Sequence, residues 1–294
     1  MENKLMTPYG KMTREELERQ YSPSSCIDDV MVYIRKYRDQ SKAAYDQLHA
    51  HCHKDIKYGP EGRSTLDIFV PDGPGPFPVH VFIHGGYWQE LSKAESSFAA
   101  PNFLDHDIIF IALDYTLAPD ASLFQIVEQV KHGVLWILDN CDDYCGNKNN
   151  ITLSGSSAGA HLVAEVIAMD WPEKGYNGCP LKGACEVSGI YDLRPLVGTY
   201  VNDPLAMTDE DARDLSPLLH IPGQGCPAIF SYGGNETDEF KRQTQDYQQA
   251  WQKAGHDATY VAMPAFNHFD IILELNNQNS PLFQAVLTQI RPIP

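Results

Sequence analysis

The pentapeptide Gly155-Ser156-Ser157-Ala158-Gly159 constrains the fold more than any other feature of this chain. It lies between a strand-like run, Ile151-Thr152-Leu153, and a helix-like run at positions 160–164. A strand can pass into a helix through so tight a turn only if the flanking residues have almost no side chain, which the two glycines provide. We therefore predict that Ser157 occupies the apex in strained backbone geometry, with its hydroxyl exposed as a nucleophile.

A second glycine motif, His84-Gly85-Gly86-Tyr87-Trp88, directly follows the mostly apolar run 77–83. Backbone amides can approach a developing oxyanion only where side chains do not block them. We expect the N–H groups of Gly86 and Tyr87 to form an oxyanion hole with that of Ala158, while Gly85 shapes the turn. Taken alone, the motif could equally be an ordinary turn that ends a strand.

A serine nucleophile needs a base and an acid, and in this arrangement the chain order is serine, acid, histidine. His268 is the candidate base, since it follows a short strand-like run at 258–262 near the end of the chain. The acid should follow the preceding strand, at 228–233, and three carboxylates come next. Glu236 is nearest the strand end and is preferred. Asp238 is the second candidate, and Asp238 and Glu239 could instead stabilise the first turn of the following helix.

Alternating strand-like and helix-like segments predict an α/β fold with a mostly parallel central sheet flanked by helices. The run at 66–70 alternates like a half-buried edge strand, and the apolar run at 108–113 suits a strand buried on both faces. Apolar residues at helical spacing predict a helix over 123–138.

Length and composition predict one domain spanning residues 1–294, with 43% hydrophobic and 21% charged residues. No apolar run approaches membrane-spanning length, and the N-terminus lacks the apolar core of a secretory signal. Seven scattered cysteines favour free thiols in a cytoplasmic protein. The net charge of −17 argues against nucleic acid and anionic membranes as partners.

Two segments outside the sheet are predicted to cover the substrate pocket. Residues 1–53 form an N-terminal cap-like segment with an amphipathic stretch at 30–48, and residues 191–220 form an excursion between strands. Both could instead simply pack on the sheet. The residues expected to contact substrate come from the glycine motif and from the start of the excursion: His84, Gly85, Trp88 and Tyr191, with Tyr87 beside them.

No cofactor or metal is expected. His49-Ala50-His51-Cys52-His53 contains zinc-ligand residue types, but this spacing does not arrange four groups around one ion. The pair Cys141 and Cys145 is also isolated, and we expect it to close a helix.

The motifs together resemble the hormone-sensitive-lipase-like group of the α/β-hydrolases, and within it most nearly the kynurenine formamidases (arylformamidases) and related esterases. The resemblance covers most of the chain and is carried by 84–88, Asp114-Tyr115-Thr116-Leu117-Ala118-Pro119, 155–161, 189–196, 215–218, 236–243 and Asn267-His268-Phe269. It implies an α/β-hydrolase fold with Glu236 as the triad acid. Lipases of this group often carry a third glycine where this chain has Tyr87, which implies a narrower and more aromatic mouth.

The resemblance also implies a function. We expect a serine hydrolase of tryptophan breakdown that cleaves a small acyl group from an aryl formamide or ester, with N-formylkynurenine as the first substrate. A broad short-chain carboxylesterase is the main alternative, because it would use the same residues. A non-catalytic binding module is a remote one. The expected partner is the small-molecule substrate, and a homodimer is the assembly to be tested.

Overall fold

The computed structural model describes residues 5–7 and 10–291, and its central strands form from buried apolar runs such as 77–83 and 109–113. The strands are β1 Leu5–Thr7, β2 Gly10–Met12, β3 Cys52–Lys57, β4 Thr65–Phe69, β5 Phe77–Ile83, β6 Ile109–Leu113, β7 Gly146–Ser156, β8 Gly183–Val187, β9 Ala228–Asn235 and β10 Ala258–Asn267. The α-helices are α1 Arg14–Gln20, α2 Met31–Gln47, α3 Ala100–Leu104, α4 Leu123–Asn140, α5 Ala158–Ile167, α6 Asn202–Leu205, α7 Asp209–Asp214, α8 Asp238–Lys253 and α9 Pro281–Ile290.

The central sheet has the strand order β10-β9-β8-β7-β5-β6-β4-β3. β4 runs antiparallel to both of its neighbours, and the other neighbouring pairs are parallel. The predicted mostly parallel sheet flanked by helices is therefore confirmed. Because parallel strands end at one edge of a sheet, the loops that follow β5, β7, β8, β9 and β10 meet there.

The core occupies both faces of this sheet. On one face Val79, Val81 and Ile83 of β5 share a buried cluster with side chains of α4, α5 and α8. On the other face Phe82 shares a second cluster with side chains of α3 and α9. Burial on both faces explains why the central strands are continuously apolar rather than alternating.

The two longest predicted helices are confirmed. α4 begins after Ser122, whose side chain accepts a hydrogen bond from the amide of Gln125 in a capping box. α2 covers nearly all of the amphipathic stretch predicted at 30–48. Within the described part of the chain, no helix combines the length and apolarity that crossing a membrane requires.

The prediction that the strand at 66–70 lies at a sheet edge is wrong. β4 lies between β3 and β6, and its alternating pattern comes from one buried charge, Asp67. The Asp67 carboxylate accepts hydrogen bonds from Lys93 Nζ, the Tyr45 hydroxyl and the Asp55 amide. A buried charge that is paired and hydrogen-bonded is tolerated inside a sheet, so alternation did not mean exposure here.

Candidate active site

Ser157 lies at the turn from β7 into α5, with φ 57° and ψ −121°, outside the regions that L-residues ordinarily occupy. A Cβ atom at Gly155 would lie 2.3 Å from the carbonyl oxygen of Gly159. A Cβ atom at Gly159 would lie 2.1 Å from the carbonyl oxygen of Ile83. The strand and the helix can therefore approach this closely only with glycine at both positions, which is the strained turn that the pentapeptide predicts.

His268 and Glu236 lie just after β10 and β9, at the same edge of the sheet as Ser157. Nδ1 of His268 is 2.8 Å from Oε2 of Glu236, whose side chain is fully buried. The other carboxylate oxygen, Oε1, accepts hydrogen bonds from the Ser188 hydroxyl at 2.6 Å and from the Gly233 amide at 2.5 Å. Because a carboxylate only accepts hydrogen bonds, this arrangement assigns the ring proton to Nδ1 and leaves a lone pair on Nε2.

The structure separates the three acidic candidates. Glu236 is the one that contacts His268. Asp238 is exposed in the first turn of α8, and Glu239 pairs with Arg242 and accepts a hydrogen bond from the Tyr21 hydroxyl. Asp238 therefore lies where it can stabilise the N-terminal turn of α8, which was the alternative role predicted for it.

Ser157 and His268 line the same cavity, which has a volume of about 370 Å³. Gly85, Gly86 and Tyr87 line it as well. The nucleophile candidate, the base candidate and the glycine motif thus face one cavity large enough for a small aromatic molecule.

The glycine motif forms a tight turn whose amide groups stay available. Gly86 has φ 96°, and a Cβ atom there would lie 2.4 Å from the carbonyl oxygen of Glu90. The Gly86 carbonyl accepts hydrogen bonds from the amides of Gln89 and Glu90, both at 2.9 Å. Within residues 5–7 and 10–291, no group accepts a hydrogen bond from the amides of Gly86, Tyr87 or Ala158. These are the three donors predicted for an oxyanion hole.

His84 supports this turn from behind. Its ring contacts the Gly85 carbonyl through Nδ1 at 2.9 Å and Asp114 through Nε2 at 3.2 Å, and it stacks on Tyr115. Burial opposes ionisation of Asp114, but hydrogen bonds from His84 and Arg63 outweigh it and keep the Asp114 pKa below its ordinary value. His84 and Gly85 both line the cavity. His84 also has this supporting role, which the sequence did not predict.

Two of the predicted substrate contacts are wrong, because Trp88 and Tyr191 are fully buried and do not line the cavity. Trp88 packs edge-on against the ring of His161 in α5, with the ring centroids 5.1 Å apart. Tyr191 stacks on Tyr247 of α8, with the centroids 4.2 Å apart. Both rings anchor loops to the core. A large aromatic side chain next to a site can pack in this way as readily as it can contact substrate.

The two predicted cap segments both reach the cavity. Met31, Ile34 and Tyr37 of α2 contribute one wall, and Tyr200 and Val201 contribute part of another. The rest of the excursion also packs on the core, where four of its apolar side chains are buried: Leu193, Leu196, Leu205 and Met207.

The sequence did not identify several cavity residues, among them two carboxylates. Glu90 and Glu95 line the cavity, and Oε2 of Glu95 accepts a hydrogen bond from the Ser92 hydroxyl at 2.7 Å. Phe98 and Ile272 add apolar surface. Their signal in the sequence was weak, since they belong to short irregular segments between strands.

The predicted site needs no metal, and the described residues hold no group of three or more His, Cys, Asp or Glu side chains that could bind one. The histidines near position 50 are separate from the cavity.

The parallel sheet, the serine turn and the histidine–carboxylate pair define an α/β-hydrolase of the serine esterase type. A family model called BD-FAE matches residues 66–250. Kynurenine formamidase of Danio rerio is 34% identical, covering 97% of this chain and 99% of its own length. That of Drosophila melanogaster is 27% identical over 74% of this chain and 75% of its own. The chain belongs to the BD-FAE family and to the kynurenine formamidases, and it is a hydrolase.

Solved structures share this fold. A protein from Silicibacter sp. TM1040, provisionally described as a thioesterase, has a TM-score of 0.82 and 26% identity, covering 92% of this chain and 99% of its own. The metagenomic carboxylesterase EstE1 has a TM-score of 0.72 at 17% identity, covering 91% of this chain and 99% of its own, which shows a shared fold.

Proposed function

We propose that this hydrolase removes the formyl group from an aryl formamide, N-formylkynurenine, and releases kynurenine and formate. One observation carries the chemistry: Ser157 and His268 line one cavity with Gly86 and Tyr87, and Glu236 lies behind the histidine. The choice of substrate is supported by similarity to kynurenine formamidases along nearly the whole chain.

In the proposed acylation step, Nε2 of His268 takes the proton of Ser157 as the hydroxyl oxygen attacks the formyl carbon. Glu236 keeps the Nδ1 proton in place and stabilises the imidazolium that forms. The amides of Gly86, Tyr87 and Ala158 donate to the developing oxyanion. His268 then protonates the departing aryl amine, and the formyl group stays on the serine.

In the second step His268 takes a proton from water as the water oxygen attacks the formyl carbon. The bond from that carbon to the Ser157 oxygen then breaks, His268 returns the proton to the serine oxygen, and formic acid leaves and ionises to formate. A formyl group is the smallest acyl group, so a narrow acyl slot is sufficient. Tyr87 restricts that slot, since its hydroxyl donates to the Tyr21 carbonyl and ties the side chain to the N-terminal segment.

The amino-acid end of N-formylkynurenine carries an ammonium group. Glu90 and Glu95 supply negative charge to the cavity wall, where they would attract that group. Met31, Ile34 and Phe98 supply apolar surface for an aromatic ring. The carboxylate of N-formylkynurenine would have to point away from Glu90 and Glu95 while the ammonium group faces them. A neutral short-chain ester has no ammonium group for them to attract, and this difference favours the formamide over the esterase alternative.

The proposal is tested by comparing kcat/KM for N-formylkynurenine, followed at the kynurenine absorbance, with kcat/KM for p-nitrophenyl acetate and butyrate under identical conditions. We expect the formamide to exceed both esters. Ester turnover without formamide cleavage would contradict the proposed substrate and identify a carboxylesterase.

Replacing Ser157 with alanine tests the nucleophile. Because triad members act as a unit, we expect turnover of every substrate to fall by about 10⁴-fold or more. Circular dichroism and the melting temperature serve as controls for folding. A loss of less than tenfold in a folded variant would exclude Ser157 as the nucleophile.

We further propose that residues 1–294 form a single catalytic domain and that the protein resides in the cytoplasm. The N-terminal segment is tied to the rest of the chain by buried contacts such as the hydrogen bond from Tyr21 to Glu239, which supports one domain. All seven cysteines are free, which fits a reducing compartment. The homodimer stays a prediction, to be tested by light scattering.

A further inference from the structure

Two tyrosines of α2 contact the chain on either side of His268. Tyr33 and Tyr37 are four residues apart, so they lie one turn apart on the same face of the helix. The Tyr37 hydroxyl donates to the carbonyl oxygen of Phe269 at 2.5 Å. The side-chain amide of Asn267 donates to the Tyr33 hydroxyl at 2.9 Å. Helix α2 is therefore bonded to the residues immediately before and after the base candidate.

The loop between these two contacts is stabilised from within by Asn267 and Asp270. Oδ1 of Asn267 accepts from the amides of Phe269 and Asp270 at 2.9 and 3.2 Å. The Asp270 carboxylate accepts from the backbone and side-chain amides of Asn267 at 2.7 and 2.9 Å. These bonds define the shape of the loop, which leaves the sheet at Asn267, the last residue of β10 and the partner of Asn235 in β9. Beyond that point His268 is held by the two tyrosine contacts, by Glu236 and by the edge of the Phe240 ring.

The two tyrosine rings are held independently of their hydroxyl groups. Tyr37 stacks on Phe98 at a centroid distance of 6.0 Å, and Tyr33 stacks on Phe269 at 5.7 Å. Burial raises the pKa of Tyr37, so its hydroxyl stays protonated and remains a donor at any working pH. Removing the hydroxyl alone should therefore leave the packing of the helix intact.

We propose that Tyr37, with Tyr33, is a positioning residue for the catalytic histidine, holding the 267–269 loop so that His268 can reach Ser157 in the cavity that both residues line. This inference rests on the proposed function of His268. It gives the N-terminal segment a catalytic purpose beyond covering the pocket. Both α2 and His268 lie outside residues 66–250, the part that the family model matches.

The test replaces Tyr37 with phenylalanine and measures p-nitrophenyl acetate and N-formylkynurenine hydrolysis. We expect kcat to fall by about ten- to a hundredfold for both substrates, since small misplacements of a catalytic group are costly. KM should change by less than about twofold, because the ring still forms the cavity wall.

Tyr45→Phe is the matched control. Tyr45 is on the same helix, and its hydroxyl donates to Asp67 at 2.5 Å, away from the 267–269 loop. We expect its ester kcat to equal that of the wild type. Equal kcat values for Tyr37→Phe and Tyr45→Phe would overturn the proposal.

A spectroscopic measurement separates positioning from general stability. The Nδ1 proton of His268, shared with Glu236, should give a downfield proton resonance that is absent in His268→Ala. We expect this signal to broaden in Tyr37→Phe and to persist in Tyr45→Phe. An unchanged signal in Tyr37→Phe would overturn the proposal.

If Tyr37→Phe fails to fold, Tyr33→Phe carries the test, because Tyr33 is only partly buried and its loss perturbs the core less. A drop in ester kcat of at least threefold would support the proposal, and wild-type kcat would overturn it. Failure of the proposed function is recognised separately: the wild type would then not cleave the formamide, or Ser157→Ala would remain active.

Discussion

Replacing Glu236 with glutamine should hold His268 in the inactive tautomer while hardly changing the shape of the site. Oε1 of Glu236 receives two donors, the Ser188 hydroxyl and the Gly233 amide. The glutamine oxygen must take that position, because an NH₂ group there would face the Gly233 N–H. The glutamine NH₂ then lies at the Oε2 position, 2.8 Å from Nδ1 of His268.

A donor at that position forces Nδ1 to become the acceptor, so the ring proton moves to Nε2. In that tautomer Nε2 cannot take the proton of Ser157. Loss of the correct tautomer in a serine–histidine–acid site lowers kcat by roughly 10⁴-fold, or about 5.5 kcal/mol of activation free energy. KM should change little, since Glu236 lies behind His268 and does not line the cavity.

The assay is steady-state hydrolysis of p-nitrophenyl acetate and N-formylkynurenine by Glu236→Gln, with Asp238→Asn as the matched control. Asp238 is exposed in the first turn of α8, so its variant should keep kcat within about threefold and lose at most about 1 kcal/mol of stability. A larger loss in Asp238→Asn, or a loss below tenfold in Glu236→Gln, would refute the reasoning.

Three further predictions follow from single residues. Gly86→Ala should lower kcat by about 10²-fold, because the new Cβ atom would lie 2.4 Å from the Glu90 carbonyl oxygen and displace the oxyanion-hole amides. Gly62→Ala is the control, since its Cβ atom would meet nothing within 4 Å and should leave the kinetics unchanged. Equal kcat values for the two variants would contradict this prediction. Glu95→Gln should raise KM for N-formylkynurenine by about three- to tenfold and leave KM for p-nitrophenyl acetate unchanged. An equal effect on both substrates would exclude a contact between Glu95 and the ammonium group. Burial lowers the pKa of His80 from 6.5 to about 3. Between pH 7 and pH 5 the unfolded chain therefore binds a proton that the folded protein excludes, and the free energy of unfolding should fall by about 2 kcal/mol. Denaturant unfolding at both pH values should show a smaller decrease for His80→Asn, and an unchanged decrease would rule out this residue.

Much of the candidate site could be predicted because its requirements are local. The serine turn needs glycine on both sides, and the oxyanion loop needs backbone without side chains, so both can be recognised in short stretches of sequence. The order of serine, acid and histidine then directs attention to the ends of the later strands. Glu236 was preferred over Asp238 by its nearness to a strand end and by family resemblance.

The errors concern residues whose side-chain direction is set by distant parts of the chain. Trp88 and Tyr191 lie beside site residues in the sequence, yet each packs on a helix of the core. The alternation around Asp67 is typical of a half-buried edge strand, yet the Asp67 carboxylate is buried and paired with Lys93. The position of Trp88 and Tyr191 beside site residues in the sequence carries no information about the direction in which the tertiary structure turns their side chains.

The sequence by itself determined the class of fold, the strained serine and the glycine-rich turn, since each depends on backbone conformations that only a few residue types can adopt. Tertiary structure alone decided how the base is held. Ser188 reaches Glu236 across 48 positions, and Tyr37 reaches Phe269 across 232. These contacts exist because parallel strands end at one edge of the sheet and the N-terminal helix packs over it, a juxtaposition that no local pattern encodes.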